Sequence, residues 1–270
     1  MKNSKELEKS KGVVVFAFNT SDVDYVGLAD KTSKLTAHHL GLPITLITDS
    51  SANPKFNYDN VIVVSAKGGN FRTDNNVKKE WKNFNRYSAY EFSPYDTTIL
   101  LDGDYLVLDD SLLKLTEQDF DYKLMHRSHS PNNALYSLMG PRGLPFVWAT
   151  VVLFKKSDLS AQYFQLIKRI QDNYPYYKTL YNCNGSYRND YAFAIANTIL
   201  NGYSLDQHKS IPWSMLTLEN KIENIEMRND FLIVRESEHA HIISKQNVHV
   251  MDKQFLMSDN FERFVNNVIR

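Results

Sequence analysis

Three short runs, GVVVFAFNT (12–20), LPITLITD (42–49) and VIVVS (61–65), are dense in β-branched residues and apolar at consecutive positions. Alternation would mark strands with one wet face, whereas unbroken runs mark strands covered on both faces. Between the first two, Tyr25, Leu28, Ala29, Thr32, Leu35, His39 and Leu40 follow helical spacing and Gly41 supplies a stop. Strand, helix, strand is the pattern of right-handed crossovers, so the sequence predicts an α/β fold with a mostly parallel central sheet flanked by helices.

The same pattern continues beyond residue 65. The spacing predicts a helix over 78–92 ended by Pro94, a strand in TTILLD (97–102), a short helix near 110–116, and strands at 121–126 and 146–154. Ser157 reads as the cap of a long amphipathic helix, and 189–202 as a further helix with Gly202 as its terminator. FLIV and HAHIIS read as short strands and 258–269 as a closing helix. No repeat or linker interrupts the 270 residues, which predicts a polar leader over 1–11 and one Rossmann-like domain over 12–270.

Composition narrows the function. Lys plus Arg and Asp plus Glu both total 31, so no global field favours nucleic acid or an anionic membrane. The one cysteine, Cys183, excludes an intrachain disulfide and any multi-cysteine metal site, as expected of a cytoplasmic protein. MKNSKELEKSKG lacks the apolar core of a signal peptide, and no run approaches the roughly 20 apolar residues that span a bilayer.

The chemistry concentrates in LLDGDYLVLDD, where an apolar strand ends in Asp102 and Asp104. An ionised carboxylate beside a core is costly unless paired or bound to a cation. In open α/β sheets ligands bind beyond the carboxyl ends of the strands. Asn19 to Asp22, Asp49, Ser65 to Arg72 and Asp102 to Asp104 should therefore share one rim. Two carboxylates at alternate positions around a turn can present hard oxygens to Mg²⁺ or Mn²⁺, or can cap the turn and the helix that follows. Asp109 and Asp110 read as caps of that helix.

FNRYSAYEFSPYDTTILLDGDYLVLDD (84–110) resembles the central segment of GT-A glycosyltransferases, particularly the glycogenin-like group, in which a strand leads into an Asp-x-Asp metal motif. Further points of resemblance are VVVFAFNTSDVDY at the first strand, WATVVLFKKSD at the sugar-pocket strand, RNDYAFAIANTILNG at an acceptor-side helix, and NVHVMDK at a C-terminal His and Lys. Three departures accompany them. Trp148, Ala149 and Thr150 replace Asn-x-Gly, Tyr191 replaces the Gln after Asp190, and His249 to Lys253 is one residue tighter than usual.

The resemblance implies a nucleotide-binding part over about 12–110 and an acceptor-side part over about 111–270. It implies Asp102, Asp104 and His249 as ligands of Mn²⁺ or Mg²⁺, with Gly103 between the carboxylates. Arg72, Arg86 and Lys253 would neutralise the departing diphosphate of a nucleotide sugar, UDP-linked by likeness. Phe16, Asn19 and Tyr25 would hold base and ribose, although Phe16 and Tyr25 also suit a core. Trp148 would border the sugar. Asp190, beside Arg188, would orient the acceptor hydroxyl or take its proton, or would simply be an acid favoured at a helix N-terminus.

Acceptors of two kinds stay open. Compact chains of this type resemble bacteriophage enzymes that glycosylate hydroxymethylated pyrimidines in DNA. KGGNFRTDNNVKKEWKNFNR (67–86) is basic with interleaved aromatics, as a DNA-facing edge is, whereas the net charge of zero favours a bacterial surface glycan. A haloacid dehalogenase-type phosphatase also carries Asp-x-Asp after an apolar strand. It normally does so on the first strand, with Thr or Val soon after, whereas Tyr105 and Leu106 follow here. A transferase-like binding module would keep the fold without metal dependence. His239 and His241 share a strand face but lack a clear third zinc ligand.

Overall fold

The computed structural model describes residues 10–65, 71–74, 77–80, 82–132, 138–139, 144–204 and 206–270; of these, 71–74, 77–79, 84, 138, 139 and 207 are described by backbone alone. Its centre is a six-stranded sheet in the order Asn60–Val63, Ile44–Thr48, Lys11–Phe16, Thr97–Asp102, Trp148–Lys155, Tyr122–Met125. The first four strands are mutually parallel, and Trp148–Lys155 runs against both of its neighbours. The sheet is thus mixed but mostly parallel, and the fold class is α/β as the sequence predicts.

The first two runs occupy strands covered on both faces, whereas VIVVS lies in the edge strand of the sheet, where Val61 is 44% and Val63 60% exposed. Val14, Phe16, Leu100, Val152 and Phe154 pack on one face against Tyr163, Phe164, Ile167 and Phe193. Val13, Val15, Ile99, Leu101, Val151 and Leu153 pack on the other, with Val26 and Ala29. Period-2 alternation within each strand produces this division. On the first face, the Asp158–Asp172 helix is capped by Ser157, whose hydroxyl accepts the Ser160 N–H, and it buries Tyr163, Phe164, Ile167 and Ile170. On the second, the Tyr25–Leu40 helix starts where Asp24 accepts the Gly27 N–H and stops at Gly41, whose φ of 61° is left-handed.

From the Lys11–Phe16 strand the chain builds outward through Ile44–Thr48 and Asn60–Val63, then returns to lay Thr97–Asp102 on the opposite side. That reversal is a topological switch point, which opens a crevice beyond the carboxyl ends of the two central strands. Register there pairs Val15 with Leu101 and Phe16 with Asp102. A second sheet in the order Tyr105–Leu106, Val248–Val250, Met215–Leu218, Ser128–His129 sits beside the crevice and sets His249 opposite Tyr105. Ile222–Arg228, Phe231–Glu236 and Ala240–Ser244 form an antiparallel meander. A third core joins it to the Lys253–Met257 and Asp259–Val268 helices through Leu232, Val234, Phe255 and Phe261.

Three sequence expectations need correction. The first strand begins at Lys11, one residue inside the expected leader. The helix expected over 78–92 is instead the second strand of a hairpin, Phe71–Asp74 with Val77–Glu80, followed by a 3₁₀ segment Asn83–Ser88 and one α-turn Ala89–Phe92. Asn85, at φ −94° and ψ 36°, leaves helical geometry, in keeping with the weak helix preference of Asn. The C-terminal meander has a strand, Ile222–Arg228, in addition to the two short strands expected there. Among the described residues no helix is long and apolar enough to cross a membrane.

Candidate active site

A cleft of about 340 Å³ opens at the switch point. Phe16, Tyr25, Arg86, Asp102, Gly103, Asp104, Trp148, Arg188, Asp190, His249 and Lys253 all line it, so residues up to 237 positions apart (Phe16 to Lys253) meet on one rim. Asn19 lies outside the lining. Its Oδ1 accepts the Val26 N–H at 2.8 Å, which uses the amide to satisfy the first turn of the Tyr25–Leu40 helix. The Arg72 side chain is not described, nor are most side chains of the basic stretch 67–86.

The strand carries Asp102 to the rim at its last position, and the turn through Gly103 carries Asp104 past it. That turn is pinned where the Thr32 hydroxyl donates to the Gly103 carbonyl at 2.9 Å, and where the Val250 N–H donates to the Asp104 carbonyl at 3.0 Å. The second bond brings the C-terminal Val248–Val250 strand, and with it His249, to the carboxylates. No local sequence pattern announces this contact, because its two halves are 146 residues apart (Val250 and Asp104).

Each carboxylate faces a cation. Arg86 Nη1 lies 2.7 Å from Asp102 Oδ1, and the Lys253 ammonium bonds Asp104 Oδ2. The Arg86 side chain is only 1% exposed, yet among the described residues none of its three guanidinium nitrogens has an aligned hydrogen-bond partner. A buried guanidinium in that condition retains unmet capacity for an anion with well-placed oxygens. Asp104 Oδ1 is likewise buried without a hydrogen-bond partner, 3.7 Å from His249 Nε2. His249 Nδ1 faces the Thr217 hydroxyl at 3.4 Å, which orients the ring with Nε2 toward Asp104.

These surroundings push the two carboxyls in opposite directions. Burial, against the pull of Arg86 and with the help of the Asp104 charge, holds Asp102 above the usual carboxylate range. Burial also opposes ionisation of Asp104, but Lys253 and His249 overcome it and hold that carboxyl well below the usual range. Asp104 is therefore the fixed negative charge of the rim.

The wall facing the carboxylates comes from the Asn189–Leu200 helix and the strand beneath it. Asp190, in the first helical turn, accepts the Ala149 N–H at 3.0 Å through Oδ1 and faces Arg188 Nε at 3.6 Å through Oδ2. The bond to Ala149 falls where pairing of this strand with Tyr122–Met125 shifts register between Trp148 and Val152. It spares a backbone N–H that the irregularity withdraws from the sheet. The Trp148 ring stands 6.4 Å from that of His249 at 66° and meets Phe146, whose ring in turn faces Tyr191 of the helix.

Several lining residues were not singled out from sequence. Glu80, Lys82 and Asn83 enter from the end of the hairpin, and Asn184 to Tyr187 and Asn189 from around the start of the Asn189–Leu200 helix. Lys82 Nζ stands 3.8 Å from Asp49 Oδ2, which joins the second strand's terminal acid to the cleft. The basic character of 67–86 was the available signal for Lys82. Asp109 Oδ1 accepts the Ser111 N–H, whereas Asp110 pairs with Lys114 and makes no side-chain cap. His241 Nε2 is 3.6 Å from Glu236 Oε2, and among the described residues no three His, Cys, Asp or Glu side chains form a ready ligand cluster.

No protein-family model matches the chain, and no curated protein matches it. Solved structures share part of its chain path. The glycosyltransferase GlyE of Streptococcus pneumoniae TIGR4 is 18% identical with a TM-score of 0.42, over 75% of this chain and 45% of that one. The galactosyltransferase LgtC, solved with donor and acceptor sugar analogs, is 15% identical with a TM-score of 0.44, over 67% and 68%. Mouse xyloside xylosyltransferase 1 is 11% identical with a TM-score of 0.43, over 73% and 86%. The chain thus spans less than half the length of GlyE.

Proposed function

We propose that this chain is a metal-dependent glycosyltransferase of the GT-A type, moving a sugar from a nucleotide sugar, UDP-linked by preference, to an acceptor hydroxyl. The observation that carries the reading is Arg86, a buried guanidinium without aligned hydrogen-bond partners among the described residues, on the wall of a cleft that also holds two carboxylates and Lys253. Mixed charge of this kind suits a pyrophosphate held together with a cation better than either ion alone.

Asp102, Asp104 and His249 would hold the Mn²⁺ or Mg²⁺. Two carboxylates and an imidazole are a donor set suited to Mn²⁺; among the described residues they do not stand as a ready ligand cluster, and the Asp104 Oδ1 that lacks a hydrogen-bond partner there, facing His249 Nε2, is the atom that such an ion would satisfy. When bound, the cation supplies Lewis-acid charge to the two phosphates. The chain's own cations do the rest of that work. Arg86 and Lys253 donate to phosphate oxygens and stabilise the charge that grows as the bond from the sugar's anomeric carbon to the phosphate oxygen breaks. Phe16 and Tyr25 form the wall for base and ribose, and Trp148 the wall for the sugar. The acceptor oxygen forms the new bond to the anomeric carbon as that carbon's bond to the diphosphate oxygen breaks, and the acceptor's proton passes to an oxygen of the departing diphosphate. Asp190, with Oδ1 committed to Ala149, is a positioning residue for that side of the cleft, and Arg188 helps orient it.

The acceptor is a hydroxymethylated pyrimidine in DNA or a hydroxyl of a surface glycan. The basic stretch 67–86 supports DNA, and Lys82 is its one lysine whose side chain is described at the cleft. The single cysteine supports a cytoplasmic setting. Incubation with UDP-glucose, UDP-galactose and UDP-N-acetylglucosamine without acceptor, in parallel with p-nitrophenyl phosphate, tests the donor reading. Slow UDP release from at least one sugar nucleotide without p-nitrophenol is expected. The opposite pattern would establish the phosphatase instead.

A further inference from the structure

Behind His249 a run of buried hydroxyls leads through the second sheet. Parallel pairing sets Thr217 beside His249 and Ser128 beside Met215. Side chains alternate along each strand, so Ser128, Met215, Thr217 and His249 share one face of that sheet. Leu216, Leu218, Val248 and Val250 take the other face and belong to the third core. Ser128 and Thr217 are 3% and 0% exposed, so water does not compete for their hydrogen bonds.

Three contacts join the run. Ser128 Oγ stands 3.0 Å from the Met215 carbonyl oxygen and 2.8 Å from Thr217 Oγ1, and Thr217 Oγ1 stands 3.4 Å from His249 Nδ1. A carbonyl accepts and never donates, so it sets the direction of the rest. Ser128 has one hydroxyl proton, which goes to the Met215 carbonyl, and Ser128 therefore accepts from Thr217. Thr217 has then donated its own proton and accepts from His249, which must carry a proton on Nδ1. The reverse order, from Ser128 to Thr217 to His249, makes only two of the three bonds and leaves the contact with the Met215 carbonyl unused. Buried polar groups favour the order that makes more bonds.

The consequence lies at the other side of the ring. A neutral imidazole that carries its proton on Nδ1 has a lone pair on Nε2. Nε2 is 3.7 Å from Asp104 Oδ1, beyond hydrogen-bond reach, and Oδ1 has no hydrogen-bond partner among the described residues. Lys253 bonds the other oxygen of that carboxylate. Two acceptors thus face each other in a buried place, which is unfavourable until a cation lies between them. The hydroxyls add neither a ligand nor a charge; they hold the donor atom of His249 in readiness.

We propose that Ser128 and Thr217 are positioning residues that hold His249 in its Nδ1-protonated tautomer and so present Nε2 as a ligand for the divalent cation. This rests on the metal-dependent reading of the cleft. Neither residue lines the cleft, so contact with a substrate does not account for an effect of replacing them, and Ser128 acts on His249 through Thr217.

The first readout is the tautomer, taken on the full chain without metal and labelled with ¹⁵N-histidine, at about pH 9, above the ordinary imidazole range. Correlation of the ring nitrogens with the carbon-bound protons shows which nitrogen is protonated, and His249→Asn identifies the His249 signals by their loss. A proton on Nδ1 is expected in the parent, a result that depends on no variant of the hydroxyls. The second readout is Mn²⁺ affinity near neutral pH with UDP present, followed by the electron paramagnetic resonance signal of the free ion. Thr217→Val keeps the shape and removes the hydroxyl. It should weaken Mn²⁺ binding by about 10- to 100-fold, the usual effect of losing the partner behind a metal-ligating imidazole, whereas Thr217→Ser should stay within about threefold of the parent. Ser128→Ala leaves the Thr217 proton with His249 Nδ1 as its remaining partner, so the imidazole proton should move to Nε2 and Mn²⁺ binding should weaken. A change of packing alone would not move that proton. A proton on Nε2 in the parent, or Mn²⁺ binding unchanged in Thr217→Val, overturns the proposal. Mn²⁺ that fails to bind the parent, while the proton sits on Nδ1 and moves in Ser128→Ala, would instead remove the metal reading and keep the hydroxyl run as the device that sets the tautomer.

Discussion

Replacing Arg86 by Met separates a cation kept for a ligand from one kept for the fold. Met fills similar volume, so the main change is the loss of a buried charge and of its contact with Asp102 at 2.7 Å. Removing one partner of a fully buried pair costs roughly 3–5 kcal/mol, because the other charge is stranded. Asp102 is not stranded to that degree. It is 28% exposed to the cleft, and its carboxyl is already raised by burial, so it can take up water or a proton. About 1–2 kcal/mol is the resulting expectation, or a melting temperature lower by about 2–8 °C for a chain of this size. Adding Asp102→Asn removes the unpaired charge and should restore most of that loss. UDP affinity should behave differently. A charge-assisted hydrogen bond contributes about 1.5–3 kcal/mol, so Kd measured calorimetrically with MnCl₂ should rise about 10- to 150-fold in Arg86→Met and at least as much in the double variant, which also loses a proposed metal ligand. If Arg86→Met unfolds earlier but binds UDP as tightly as the parent, the guanidinium is structural and the main support for the proposed function is lost.

A Cβ at Gly12 would lie 2.3 Å from the Tyr95 ring, whose hydroxyl is held by Thr45 at 2.8 Å. Gly12→Ala should therefore cost about 1–3 kcal/mol by denaturant unfolding, and Tyr95→Leu in the same chain should recover part of it. His39 is held down to about 4 by burial, with His38 and Lys245 adding to the effect, and its Nε2 is buried without a partner among the described residues. The unfolded chain protonates this imidazole near 6.5 and the folded chain does not. Stability should thus fall as pH drops from about 6.5 to 4, and His39→Gln should flatten that part of the melting-temperature profile relative to the parent. Asp190→Asn retains an oxygen for the Ala149 N–H, whereas Asp190→Ala does not. If the residue positions the wall, Asn should keep acceptor-free UDP release within about threefold and Ala should lose about tenfold; equal losses would point to the charge itself.

The parallel half of the sheet could be read directly because its strands announce themselves. Val13 to Phe16 and Ile99 to Leu101 are apolar at every position, Ile44 to Thr48 is apolar or β-branched throughout, and Asp24, Gly41 and Ser157 act where local chemistry places them. Strand direction is not a local property, so nothing in residues 148–155 foretold that this strand runs against its neighbours. The segment 78–92 misled because its lysines and aromatics suit a helix in isolation. The backbone there instead pairs Val77–Glu80 with Phe71–Asp74 and then departs from helical geometry at Asn85.

At the cleft, the Asp102 and Asp104 turn was visible because a strand ending in two acids is unusual on its own. Arg86, His249 and Lys253 were reachable only through family resemblance, since the fold supplies their proximity. Asn19 shows the converse. An amide in a rim loop looks available for a ligand, but an unsatisfied N–H at Val26 claims it, and that competition is settled by the entry angle of the helix. The contact between Tyr181 and Tyr203 was missed because its two halves lie on segments more than 20 residues apart, and packing of that kind cannot be read from a tyrosine's position in the sequence.

Thermal unfolding with UDP, in the presence and absence of MnCl₂, tests the central claim most directly. In the parent, UDP and Mn²⁺ together should raise the melting temperature by more than the sum of their separate effects, with a gain approaching about 2.7 kcal/mol when UDP reaches 100 times its Kd. In Asp102→Asn/Asp104→Asn, UDP should give the same small shift with or without Mn²⁺. A UDP shift in the parent that is indifferent to metal, or a metal-linked shift that survives the double substitution, would contradict the assignment of these carboxylates.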